Sequence, residues 1–279
     1  MTTSTTHRLP WSAISHVLLL LVALLWLFPF IWMVSTALKP NAAVFELPPR
    51  LVSGTLQWDN FAGAWNYVPF GRFMLNGLLV AGVGTLLVLV SSSLAAYAFA
   101  RLRFPGRDRL FVAYLGTLMV PQEVIVVPMF ILMKNLGWVD SYQALILPWA
   151  FTAFGTFLLR QFFLTIPREL EDAARVDGAS RLRILWNVIV PMAVPALAVL
   201  AVFTFINYWN SFLWPLIIVN SQAHATVPLG LNMFMGQFGS QWNYLMAAST
   251  ISMLPSLLLV LATQRYLVEG IALTGFGGR

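Results

Sequence analysis

Cysteine is absent from the 279 residues, which excludes disulfides and thiolate metal sites. Charge is scarce as well: Asp, Glu, Lys and Arg make up 9% of the chain against 59% hydrophobic residues. A soluble domain of this size carries about a quarter charged residues, so too few remain to cover a water-facing surface. Lysine occurs only at Lys39 and Lys134, after Leu38 and Met133, and the Gly-x-x-x-x-Gly-Lys-Ser/Thr phosphate loop is therefore missing. His7, His16 and His224 lie far apart, without metal-ligand spacing. No paired carboxylates fall within an apolar run, as acid–base work would need. The expectation is a non-catalytic chain in a bilayer, with no metal or cofactor of its own.

What is present is long apolar runs. No charged residue stands between Arg8 and Lys39, Arg72 and Arg101, Arg109 and Glu123, or Asp140 and Arg160, and an 81-residue stretch from Ile184 to Gln264 has none. A hydrocarbon core of about 30 Å needs roughly 20 apolar residues as helix. The runs predict an all-α integral membrane protein with six spans, near 14–37, 74–100, 110–133, 141–163, 192–219 and 245–267. The long stretch must hold two, because Asn220, Ser221, Gln222 and His224, then Gln237, Ser240, Gln241 and Asn243, are too polar for lipid. Pro121, Glu123 and Pro128 interrupt the third span. Such breaks are tolerated only against protein or a water-lined cavity, so this span is expected to face the bundle interior. The first run is nearly twice the length of a secretory signal core and is read as a membrane helix that stays.

Cytoplasmic loops carry the excess of Lys and Arg. With the N-terminus inside, 12 of the 16 basic residues fall on that side, leaving Lys39, Arg50, Arg72 and Lys134 outside. Both termini are therefore expected in the cytoplasm, as segments 1–13 and 269–279 flanking a permease-like domain over 14–268. The net charge of +6 then reflects topology and asks for no nucleic-acid partner. Trp11, Trp138, Trp186 and Trp242 stand near span ends, as interfacial anchors in contact with lipid do.

The loop 164–191 between spans 4 and 5 is the most informative segment. Pro167 suits a first helical position, and Glu169, Glu171 and Asp172 complement the positive end of a helix dipole. Gly178 is placed to end that helix, and Ser180 to cap a second one running toward Pro191. Leu170, Ala173, Ala174 and Asp177 share one face of the first helix, where the two alanines let another backbone approach closely. Docking in a partner's groove and resting on the membrane surface both remain open on these grounds.

The same loop resembles the EAA loop of permease subunits from binding-protein-dependent ABC importers, with its pattern Glu-Ala-Ala, three residues, Gly, nine residues, Ile-x-Leu-Pro. Asp172-Ala173-Ala174, Gly178, Val188, Val190 and Pro191 keep the full spacing, with Asp172 in place of the Glu. Further stretches resemble the carbohydrate branch, in particular the smaller permease of maltose-type systems. These are 95–101 with Phe104-Pro105-Gly106, 209–216, and Thr226-Val227-Pro228-Leu229-Gly230-Leu231. The resemblance implies a helix-turn-helix coupling loop in which Leu170, Glu171, Asp172, Ala173, Ala174, Asp177, Gly178 and Pro191 engage a cytoplasmic ATPase. It further implies a second homologous permease, a dimeric ATPase that uses the ATP and Mg²⁺, an extracytoplasmic solute-binding protein, and a prokaryotic cell membrane. The tail is similar in Tyr266-Leu267-Val268 and Gly270 but departs at Glu269 and at Phe276-Gly277-Gly278-Arg279, where basic residues are usual.

Candidate pathway residues are Asn207, Tyr208, Trp209 and Asn210, a polar and aromatic cluster within span 5 together with Ser211. Amides and rings of this kind suit a sugar, and equally suit hydrogen bonding between helices. Glu123 is the only acidic residue inside a span, a functional candidate by type that a plain structural pairing would also explain. Asn76, Gly77, Gly82 and Gly84 are expected to serve close helix packing. The loop 220–244, with His224 and Pro228, is either a contact for the solute-binding protein or a solvated connector. An autonomous secondary transporter or channel is the competing class. Labelling from each face of the membrane is expected to modify the segment 167–191 only from the cytoplasm; modification from the outer face would overturn this topology.

Overall fold

The computed structural model describes the backbone of residues 10–52, 54–236 and 239–275. The terminal segment 1–9 with His7 and Arg8, Gln237, and the Phe276–Arg279 end lie outside the described residues, as do the side chains of Trp11, Val268 and Glu269. The chain is mostly helical, and two compact units divide it: Met1–Val68 with Met233–Ile251, and Pro69–Asn232 with Ser252–Arg279.

In the first unit, α1 (Pro10–Ala37) is apolar all round, and Val17 through Leu25 is exposed along its length, as expected of a helix whose solvent is lipid. Its end is tied down by polar side chains. Asn60, buried in α2 (Asp59–Tyr67), donates from Nδ2 to the carbonyls of Ala37 and Lys39 at 2.8 Å each, and its Oδ1 accepts from Asn243 at 3.0 Å. Lys39 is folded in as well: its Nζ donates to the Arg50 carbonyl at 2.6 Å and lies 4.6 Å from the Trp32 ring centre. A two-residue antiparallel hairpin, β1 (Met235–Gly236) with β2 (Gly239–Ser240), pairs Met235 with Ser240.

The second unit is built on α3 (Phe70–Arg101), α7 (Ala153–Thr165) and α11 (Val194–Trp209). Close approach depends on small residues. A Cβ at Gly84 would meet the Tyr208 ring at 2.6 Å, and one at Gly77 the Trp209 ring at 3.0 Å, whereas Gly82 faces open space. The packing role expected for the glycines of α3 thus holds for two of the three.

By length and composition three helices suffice to cross a membrane: Ile14–Ala37, Phe70–Arg101 and Trp242–Tyr266, the last within α14 (Trp242–Gly275). Three bent pairs would make six. α4 (Arg107–Gly116) runs through a 3-10 turn to Met119 and meets α5 (Gln122–Asn135) at 98° across Pro121. α6 (Tyr142–Ile146), extended by a 3-10 turn to Trp149, meets α7 at 46°. The segment Arg181–Met192 meets α11 at 83°. The third expected span is thus sharply bent, and its middle, from Leu118 to Val124, is exposed rather than enclosed by the bundle. The fifth, expected as one run over 192–219, is two pieces: α11 ends at Trp209, and α12 (Leu213–Ile218) follows the break.

The segment from Asn220 through α13 (Val227–Asn232) folds back onto α3 instead of standing in solvent. Buried Asn76 donates to the carbonyls of Ala223 (2.9 Å) and Ala225 (2.8 Å) and accepts from the Tyr142 hydroxyl (2.7 Å). Gly230 lies against the Phe73 ring. Asp140 completes this cap from a left-handed backbone (φ 58). Its Oδ1 accepts the amide N–H groups of Asn220 and Ser221 at 3.2 and 3.3 Å and stands 3.3 Å from His224 Nδ1. Partial burial pushes the Asp140 carboxyl up, but hydrogen bonds from the Ser221 side chain and the Asn220 and Ser221 amides, with the charge of His224, outweigh it and hold the group below its usual value.

A carboxyl whose pKa falls on folding stabilises above the ordinary carboxylate range and loses that contribution as pH drops through it. The cap is therefore expected at full strength at neutral pH and weakened below about pH 4. Asp140→Val, which loses the acceptor and places a branched residue at positive φ, is expected to cost about 2–4 kcal/mol. Asp140→Asn should cost less than half of that. Thermal melting of the detergent-solubilised protein checks both.

Candidate functional site

The helix-turn-helix forms where it was expected. α8 (Glu169–Val176) carries three acids in its first turn. Its Schellman ending has the Ala179 amide donating to the Ala174 carbonyl at 2.9 Å and the Gly178 amide to Arg175 at 3.0 Å. Gly178 takes φ +79, a conformation that disfavours any side chain. Ser180 caps α9 (Arg181–Ile184), its Oγ accepting from the Arg183 amide at 3.4 Å. One detail differs: Arg168 caps α8 and Pro167 precedes it, because the Arg168 carbonyl already accepts the first helical bond, from Asp172.

Beyond α9 the helix widens into a π turn over Leu185–Ile189 and continues as α10 (Val190–Met192). Pro191 lacks the N–H a regular α-helix would use, and Pro195 removes another just past the bend at Ala193. Pro191 therefore belongs to the elbow into α11 rather than to the exposed surface of the turn. Ile184, Leu185 and Ile189 are fully buried and hold the second helix to the unit.

On the opposite side α8 presents Leu170, Asp172, Ala173 and Asp177 to the exterior, with Ala174 half-buried. Val176, 88% exposed, joins this face, as does Leu182. Neither belongs to the recurring positions that singled out the face in the sequence; an apolar residue flanked by Arg175 and Asp177 was the available signal. A cleft of about 720 Å³ opens beside the turn, bordered by Arg103, Arg168, Asp172, Arg175 and Arg181.

Glu171 does not share that face. Its side chain is 2% exposed, and Oε1 lies 2.9 Å from Nε of Arg101, itself 3% exposed. The two atoms are at ion-pair distance without hydrogen-bond alignment. Arg101 Nη2 instead donates to the carbonyls of Ile166, at 2.6 Å, and Phe163 at the end of α7, where the Phe163 carbonyl also accepts the Ile166 amide. The Tyr97 hydroxyl reaches Glu171 Oε2 at 3.5 Å, and Arg175 lies at the same distance from it. Expected as a contact for the ATPase, Glu171 is enclosed by its own chain. Asp172 is the exposed acid, paired with Arg175 at 2.9 Å.

The pathway residues divide. Asn207 is exposed and borders a cavity of about 570 Å³ with Gln122, Thr152, Thr204 and Ser211. Phe151, Phe154 and Phe203 supply ring faces to the same cavity. Tyr208 and Trp209 are buried and bond between elements: the Tyr208 hydroxyl donates to Ile146 O at 2.8 Å, and Trp209 Nε1 to Ser252 O at 3.1 Å. Tyr208 still borders the cavity, whereas Trp209 acts as glue between helices. Asn210 ends α11, its amide donating to the Ile206 carbonyl. Glu123 is exposed in the first turn of α5, where it favours the helix dipole; among the described residues it forms no ion pair, so the structural pairing considered for it is not found.

His224 packs edge-on against Tyr142, with centres 4.8 Å apart, besides its contact with Asp140. Pro228 is half-buried in the first turn of α13. Both belong to a folded cap, and Gln222 and Ala223 are the exposed residues of that turn.

The model of the family described as binding-protein-dependent transport system inner membrane component matches residues 88–272. The sn-glycerol-3-phosphate transport system permease protein UgpE of Yersinia pestis bv. Antiqua is 38% identical over 264 residues, 92% of this chain and 94% of that protein. Among solved structures, a bacterial ABC transporter involved in the import of the acidic polysaccharide alginate shares the fold, with a TM-score of 0.82 at 24% identity over 96% of this chain and 99% of that one. The bacterial alginate ABC transporter in complex with alginate pentasaccharide-bound periplasmic protein matches at a TM-score of 0.64 and 18% identity, over 92% of this chain and 96% of that one. The chain belongs to the binding-protein-dependent transport system inner membrane component family and is a multi-pass permease of an ABC importer.

Proposed function

We propose that this permease forms half of a translocation pathway for a sugar or sugar-like solute, moved by ATP hydrolysis in a separate cytoplasmic ATPase. In this reading six spans place both termini and the α8–α9 turn in the cytoplasm. A second, homologous permease supplies the other half of the pathway. An extracytoplasmic protein delivers the solute, and the ATPase pair binds the ATP and Mg²⁺. The observation that carries the reading is the outward face of α8. Leu170, Ala173 and Val176 form an apolar strip bordered by Asp172 and Asp177, on a short helix held rigidly by a Schellman turn and a buried ion pair. Apolar anchors beside exposed charge are how a helix docks in a partner's groove.

The solute class is supported by the lining of the cavity. Amides at Asn207 and Gln122, hydroxyls at Thr152, Thr204 and Ser211, and the phenylalanine rings offer hydrogen bonds for hydroxyl groups and flat faces for the apolar sides of a sugar ring. Relatives transport sn-glycerol-3-phosphate and alginate by name, both polyhydroxylated compounds.

A tagged chain is expected to co-purify its ATPase from the native membrane. Val176→Asp should weaken that recovery at least tenfold, in keeping with the loss of an interface anchor, and Gly178→Arg should abolish it by straining the turn and blocking the groove. Asp172→Lys should leave membrane insertion intact while lowering uptake per ATP hydrolysed. Recovery unaffected by both Val176→Asp and Gly178→Arg would overturn docking through α8.

A further inference from the structure

We infer that Arg101 and Glu171, assisted by Tyr97, are positioning residues that carry the displacement of α8 into α3 and α7, where the chain itself offers only the extended linker 166–168 to α7 and no route to α3. The inference rests on the reading of α8 as the ATPase-docking helix. Along the chain α8 joins α7 through residues 166–168 and α9 continues through the elbow into α11; neither leads to α3. The side chains supply the missing link. Glu171 points away from the docking face into the junction where α3 and α7 end, and Arg101, the last residue of α3, meets it there.

Three features suit this junction to transmit motion. Both charged side chains are almost fully buried, so neither is free to exchange its partner for water. Arg101 holds Glu171 and two carbonyls at the end of α7, Phe163 and Ile166, at once, so α3, α7 and α8 meet on one guanidinium. Tyr97, one helical turn before Arg101 on α3, holds the second carboxylate oxygen, and two contacts from one helix resist rotation of α8 about a single pair. By contrast α9 passes to α11 through a π turn and an 83° bend. A displacement of α8 therefore has a stiff path to α3 and α7, and a separate one, through a widened and bent helix, to α11.

The native chain has no cysteine, so single reporters can be read with N-ethylmaleimide in the assembled importer. Thr152→Cys reports at the start of α7 and Asn207→Cys on α11; both positions border the cavity. Each reporter is labelled with and without ATP and vanadate. In the unaltered background both rates are expected to change on nucleotide trapping. Arg101→Gln or Glu171→Gln should reduce the change at Thr152→Cys at least about fivefold, the lower end of ordinary coupling between sites. The change at Asn207→Cys should persist, and the ATPase should still co-purify. Arg101→Lys, which keeps the charge, should retain most of the Thr152→Cys response. Where a single variant does not assemble, Arg101→Gln with Glu171→Gln together leaves no buried charge unpaired and carries the same test.

A wild-type response at both reporters would overturn the inference, and so would an equal loss at both, which marks a merely structural pair. Absence of the ATPase from the unaltered complex would instead remove the docking reading beneath it.

Discussion

A helix broken at membrane depth leaves carbonyls and amides without partners, and lipid offers none. This constraint organises the second unit. Around the break between α6 and α7 the freed carbonyls of Ala144, Ile146 and Ala150 accept from Trp214 Nε1, the Tyr208 hydroxyl and Ser91 Oγ at 2.7–2.8 Å. At the end of α7 the donor is Arg101. At the folded-back segment 223–225 it is Asn76. Each donor comes from another element, so satisfying the breaks and packing the helices are one event. These donors are accordingly placed against helix breaks and ends, where backbone groups need them.

Those breaks are also what open the cavity. A straight third span would cross the bilayer as a plain rod. The 98° turn at Pro121 instead lets Thr117, Val120 and Gln122 border the same space as Thr152 and Asn207. Irregular backbone at this depth is admissible only where it lines such a space or lies against protein.

Charge follows the same economy. With so few charged residues, one ion pair among the described residues is buried on both sides, Arg101 with Glu171, at the end of α3. Breaking a buried pair of this kind by removing one partner costs about 3–5 kcal/mol, although the intact pair adds little net stability. What the pair supplies is a defined position for α8. Because Glu171 is turned inward, Asp172 and the apolar strip are left outward. The orientation of the outward face of α8 thus follows from where its neighbouring acid is anchored.

The amino-acid sequence alone determined the elements that depend on local chemistry. Long uncharged runs mark most of the expected spans because charges are costly in hydrocarbon, while Glu123 interrupts the third. Gly178 and Ser180 mark the turn because few residues satisfy a left-handed C-cap or an N-cap hydrogen bond. The spacing from Asp172 to Pro191 marked the family. What only the tertiary structure decided is which side chains face inward. Arg101 and Glu171 are 70 positions apart, and no periodicity brings them together. Tyr208 and Trp209 suited a pathway and bonding between helices alike until their hydrogen bonds to Ile146 and Ser252 placed them between helices. His224 and Pro228 read as loop residues until Asn76 and Asp140 folded their segment onto α3. Each outcome depends on a long-range contact whose partner is chosen by packing, and a linear pattern records the donor and the acceptor without recording that they meet.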